Sequence, residues 1–162
     1  MLSKKMEIAL NKQINEEFWS AYLYLSMAAY FEADGKPGFA HWFKAQFAEE
    51  QEHAMKLFDY VCSRGGKVAL QPIREVHKEW ESPLQAFEQT LAHEKVVTGF
   101  INELVTMARE EQDYATENML QWFVNEQVEE EATAQSYIDA LILIGNSGAG
   151  IYALDRALAS RQ

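Results

Sequence analysis

The chain has 162 residues and a formal net charge of −11, with 14 Lys and Arg against 25 Asp and Glu, so nucleic acid and anionic membranes are poor partners and cations the natural ligands. A lone Cys62 excludes a disulfide framework and a thiolate zinc site and fits a reducing compartment. The opening MLSKKMEIALNK lacks the apolar run of a signal peptide and no stretch reaches the roughly 18 apolar residues of a membrane span, so the expectation is one cytoplasmic domain, residues 1–162.

With only 8 Gly and 3 Pro, turns are scarce and long helices are expected. A first helix starts near Ser3 and stops at Asp34-Gly35-Lys36-Pro37-Gly38; a second ends at Arg64-Gly65-Gly66. Ser82-Pro83 opens a third, with Ser as N-cap and Pro at the first helical position. Asp113 caps a fourth, which Gly145 to Gly150 closes, and Ile151 to Leu158 forms a short amphipathic fifth. The four long helices are each roughly 28 residues, or about 42 Å. Short joins make the first and second helices antiparallel, and likewise the third and fourth. The join from Gly65 to Ser82 reaches about 59 Å when extended, enough to carry the chain back to the other end. The expected fold is all-α: a four-helix bundle with one long crossover and a short fifth C-terminal helix.

The anomaly is where the carboxylates fall. At about 100° per residue, Leu10, Ala21, Tyr24 and Ala28 lie within about 40° of one direction, and Glu17 sits among them. On the second helix Phe39, Phe43, Phe47, Ala54, Leu57 and Val61 define the stripe, with Glu50 at its centre and His53 one turn on. Phe87, Leu91, Ile101 and Val105 surround Glu94 on the third. Leu120, Phe123, Ala134 and Leu141 enclose Gln127 and Glu130 on the fourth. Taken singly, Glu17 could be an edge residue that snorkels outward, and His53 a satisfied core histidine. Taken together, four mid-helix carboxylates cost several kcal/mol each, in order of magnitude, unless compensated. No Lys or Arg is central on these stripes, whereas two divalent cations would cancel four negative charges. Carboxylate-rich coordination with one imidazole and no thiolate suits iron or manganese better than structural zinc. Glu50-x-x-His53 is the spacing of di-iron carboxylate bundles.

Glu17, Glu49-Glu50-Gln51-Glu52-His53, Glu94 and Asn125-Glu126-Gln127-Val128-Glu129-Glu130 carry a family likeness, joined by Leu120-Gln121-Trp122 and the Ser147 to Tyr152 entry to the fifth helix. With these motifs the chain resembles the non-haem bacterial ferritins over nearly its whole length. The resemblance implies a ferritin-like fold and a homo-oligomeric shell of 24 subunits that oxidises Fe(II) with O2 or H2O2 and stores ferric mineral. It implies that Glu17, Glu50 and His53 hold a first iron, and that Glu50 bridges to a second completed by Glu94 and Glu130. Gln127 would then be a hydrogen-bonding or weak ligand. Tyr24 matches the tyrosine beside the family's di-iron site, the alternative being a core aromatic whose hydroxyl needs a partner. Glu49, Glu126 and Glu129 match a third iron position, the alternative being a solvated charged face. Bacterioferritins differ by a second Glu-x-x-His motif, replaced here by Gln127-x-x-Glu130, and by a haem-binding Met where this chain has Gln51; no haem is expected.

Two other classes compete with iron storage: a di-iron oxidase or peroxidase that does not mineralise, and a structural bundle whose glutamates are incidental. The first leaves the fifth helix without an obvious use; the second leaves the burial cost unexplained. Trp42 and Trp80 are expected on the bundle exterior as subunit contacts; the resemblance implies channels near the start of the fourth helix, which makes Glu117 a candidate lining residue, the alternative being an ordinary surface glutamate.

Overall fold

Ser3 sets the first boundary: its hydroxyl accepts the Met6 N–H at 3.0 Å and caps a helix. In the computed structural model, which describes residues 1–161, five helices follow: α1 (Lys4–Ala33), α2 (Pro37–Ser63), α3 (Pro83–Glu110), α4 (Tyr114–Ile144) and α5 (Gly148–Leu158). Ser82 caps α3 through the Gln85 N–H, and Asp113 caps α4 through the Thr116 N–H. Ser147 caps α5 through the Gly150 N–H, so that helix begins three residues before the expected Ile151. The described helices are none of them long and apolar enough to cross a membrane.

The chain divides into two compact units, Met1–Trp80 with the segment from Asn146 onward, and Glu81–Gly145. In the first, α1 and α2 pair antiparallel, as contacts between residues far from the turn and near it show. Phe31 stacks on Phe39 and Phe43 at 5.1 and 5.5 Å, and Tyr24 lies 6.1 Å from Phe43. Glu17 reaches Glu50 and His53 further along. Lys36, at the N-cap position of α2, makes no side-chain cap. Asp155 of α5 takes over that duty, its Oδ1 accepting the Gly38 and Phe39 N–H groups at 2.8 and 3.0 Å. A Cβ on Gly38 would stand 1.6 Å from the Asp155 carbonyl oxygen, so only glycine permits this approach.

The crossover has no helix of its own, yet one polar stripe of α1 holds it. Asn11 bonds the Lys67 carbonyl and the Ala69 N–H, Asn15 the Gln71 N–H, Ser26 the His77 carbonyl and Tyr30 the Trp80 carbonyl. Residue numbers rise together on both sides, so the crossover runs parallel to α1 and returns the chain to that helix's far end, as its length implied. In the second unit α3 and α4 form an antiparallel hairpin, fixed by Phe87 against Tyr137 at one end and Arg109 against Glu117 at the other.

Several expectations are corrected. Trp42 and Trp80 are buried, at 1% and 5% exposure, rather than on the exterior. The Trp42 ring lies edge-on to Phe43 and under the Arg161 guanidinium; Trp80 is covered by Tyr30 and His77. Phe47 and Leu91 are half-buried at the margins of their stripes rather than at their centres.

Candidate metal centre

All four core carboxylates are buried, with Glu17, Glu50, Glu94 and Glu130 at 1, 2, 1 and 8% exposure. The edge reading of Glu17 is thereby excluded. Within the first unit, Glu17 from α1 and Glu50 and His53 from α2 bring ligand atoms to within 4.8 Å of one another. His53 Nδ1 lies 3.5 Å from Glu50 Oε2. One turn before Glu17, Gln13 Nε2 donates to its Oε1 at 2.9 Å. Burial pushes the Glu17 carboxyl above the usual carboxylate range; the Gln13 hydrogen bond, the His53 charge and a hydrogen bond shared with Glu50 pull it back, and Glu16 adds to the rise. Two carboxylates and one imidazole, desolvated and with ligand atoms this close together, are a donor set that fits a divalent cation. Tyr24 is fully buried beside Phe43 on the α1 face that carries Glu17.

Within the second unit, Gln127 Nε2 donates to Glu94 Oε2 at 3.0 Å, to the Glu94 carbonyl at 3.2 Å and, more distantly, to Thr98 Oγ1 at 3.4 Å. The amide nitrogen is thus committed to Glu94, so the carbonyl oxygen is the end of Gln127 that can serve as a ligand. Thr98 Oγ1 in turn donates to Glu131 Oε1 at 2.6 Å. A groove of about 330 Å³, walled by Ile101, Val124 and Val128, opens onto Thr98, Gln127 and Glu131. Glu130 is buried on the same face of α4.

Sequence reasoning missed Gln13, Thr98 and Glu131. Each stands four residues from an expected ligand (Glu17, Glu94 and Gln127), one helical turn away, and that spacing is the signal that finds them. The glutamates of the expected third position are more solvated: Glu49 and Glu126 are half-buried and Glu129 exposed. Glu49 Oε2 is held by Arg161 Nη2 at 2.5 Å. Glu117, the channel candidate, pairs with Arg109 at 2.6 Å.

Comparison with known proteins agrees with this geometry. Residues 7–144 match the model of the ferritin-like domain. The bacterial non-heme ferritin of Bacteroides fragilis is 45% identical over 99% of this chain and 100% of its own. That of Staphylococcus epidermidis is 40% identical over 99% of this chain and 97% of its own. Among solved structures, an open pore ferritin from the hyperthermophilic archaeon Archaeoglobus fulgidus superposes with a TM-score of 0.99 at 52% identity, all of both chains being covered.

Proposed function

The chain belongs to the ferritin family, and from that premise we propose that it oxidises Fe(II) at a paired-iron site and stores the ferric product inside a homo-oligomeric shell of 24 subunits in the cytoplasm. The observation that carries the reading is the buried Glu17, Glu50 and His53 cluster. A scaffold accepts such a desolvated set at a cost to its stability, and a resident or passing cation offsets that cost.

Glu17, Glu50 and His53 hold the first ferrous ion. Glu50, with two oxygens, reaches a second ion that Glu94 and Glu130 complete, and the Gln127 carbonyl oxygen assists. On this reading residues 1–162 act as one ferritin-like domain. Each ferrous ion gives up one electron, so a pair matches the two-electron reduction of O2 to H2O2, or of H2O2 to water. Tyr24, fully buried on the α1 face that carries Glu17, serves the site as a hydrogen-bonding neighbour. Glu49, Glu126 and Glu129 form a third, weaker position. Gln51 in place of a methionine supports a non-haem site.

The test is the initial rate of ferrous oxidation in air, together with iron retained per subunit and particle size. Fast oxidation by a large, uniform particle that keeps its iron supports storage. Fast oxidation by a monomer or dimer that releases the product points to the oxidase class instead. Unchanged rates in Glu50→Ala would refute the assignment of the site.

A further inference from the structure

The C-terminal residues of the described chain pack on α2 and reach Glu49. Asp155 pins α5 to the start of α2, and the tail then runs along α2 past residues 41, 42, 46 and 49. His41 Nε2 donates to the Arg161 carbonyl at 2.7 Å. The Arg161 guanidinium lies 4.6 Å over the Trp42 ring and donates to the Trp42 carbonyl at 3.4 Å. Its Nη2 donates to Gln46 Oε1 at 2.6 Å and to Glu49 Oε2 at 2.5 Å. The Gln46 residue is wholly buried, and the arginine side chain is only 21% exposed against 40% for Glu49.

We propose that Arg161 is a tethered competitor for metal at Glu49: its guanidinium occupies the carboxylate that a third ion would need, and that ion binds only by displacing it. The proposal rests on the reading of Glu49 as a metal ligand. Three features of the clamp favour this role over an incidental surface pair. The planar guanidinium is fixed by a ring face, a backbone carbonyl and a buried amide oxygen, so holding Glu49 requires little further ordering. The pair is charge-assisted and short. A dication brought to Glu49 would also meet the cation's repulsion, so the two states exclude each other. Arg161 is thus a positioning residue that makes the third position the last to fill, while leaving the Glu17, Glu50 and His53 cluster untouched.

The experiment is calorimetric titration of the metal-free assembled protein with Zn²⁺, a redox-inert divalent probe, resolving ions per subunit and the affinity of the weakest class. Because the pair is partly exposed, Arg161→Ala should tighten that weakest class by about two- to five-fold. The gain should shrink as salt is raised and vanish in a Glu49→Gln background, which itself should bind one ion fewer. His41→Ala, which loosens the tail but keeps the guanidinium, should tighten the affinity by clearly less than Arg161→Ala does. Equal affinities for Arg161→Ala and the unmodified protein, with Glu49→Gln still losing an ion, would overturn the competitor and spare the third position. Tightening by His41→Ala equal to that of Arg161→Ala would also overturn it, assigning the effect to tail docking rather than charge. Full zinc stoichiometry in Glu49→Gln would overturn both readings.

Discussion

Replacing Gln13 by Leu removes the hydrogen bond to Glu17 at nearly constant volume. Gln13 is buried at 3% exposure and touches the cluster through one 2.9 Å bond to Glu17 Oε1. A hydrogen bond to a charged group contributes about 1.5–3 kcal/mol. Independently, removing the partner that orients a metal ligand costs about 10–100-fold in metal affinity, or about 1.4–2.7 kcal/mol. The two ranges coincide, so Gln13→Leu should weaken Zn²⁺ at the first position by about 10–100-fold. The sign with pH follows from the same bond. Gln13 lowers a Glu17 pKa that burial has raised, so its loss raises that pKa further and metal must expel a more tightly held proton. The pH at which metal binding or ferrous oxidation is half-developed should therefore move upward in the variant. Titration of zinc across a pH series, with oxidation rates alongside, measures both. Unchanged affinity and an unchanged midpoint would refute the idea that Gln13 sets the charge of Glu17.

Glu50→Ala should lower the oxidation rate on the order of a hundredfold or more, because loss of a ligand's neighbour alone already costs about 10–100-fold; His53→Ala should weaken mainly the first ion, as a two-step zinc titration would reveal. A carboxyl with a raised folded pKa binds extra protons in the folded state, so metal-free stability should fall as pH rises from the ordinary carboxylate range through the raised value. Glu17→Gln should flatten that slope in denaturant titrations, and a slope equal to that of the unmodified protein would remove Glu17 as its source. Asp155→Ala leaves two buried N–H groups of α2 without their acceptor and should cost about 2–4 kcal/mol in chemical denaturation. The double change Glu126→Ala with Glu129→Ala should keep fast oxidation while losing one bound ion per subunit; anomalous scattering from metal-soaked crystals that shows only two ions in the unmodified protein would make these glutamates a plain solvated face.

Local signals made most of the fold legible. Ser82 and Asp113 cap the helices they were expected to cap, and Ser3 caps the helix expected to start near it, since a cap is written within four residues of its partner. The start of α2 carries no such signal, because its cap, Asp155, lies 117 residues from Gly38. Trp42 was misplaced for the same reason: periodicity on α2 cannot reveal cover supplied by Arg161, and nothing in the crossover sequence announces that Trp80 folds against Tyr30. The buried glutamates were legible because charge in an apolar stripe is costly and therefore informative. Their hydrogen-bonding neighbours Gln13 and Thr98 were not, since uncharged polar residues near a stripe's edge are ordinary there. The Glu49 carboxylate read as a ligand in sequence is engaged by an arginine 112 positions away.

The crossover's attachment to α1 also sets how that segment exchanges its amide protons. A helix protects its amides through its own backbone, turn upon turn, so that they open together. Here the protection comes from side chains: Ala69 and Gln71 N–H groups end on Asn11 and Asn15, 58 and 56 residues earlier in the chain. Each such bond breaks by a rotamer change in one asparagine, with no helix unwound. Deuterium should therefore enter the strap amide by amide through small, independent openings, while α1 beneath it stays protected up to far larger, cooperative ones. A strap held in place along the whole of α1 thus lets water in sooner than the helix it lies on.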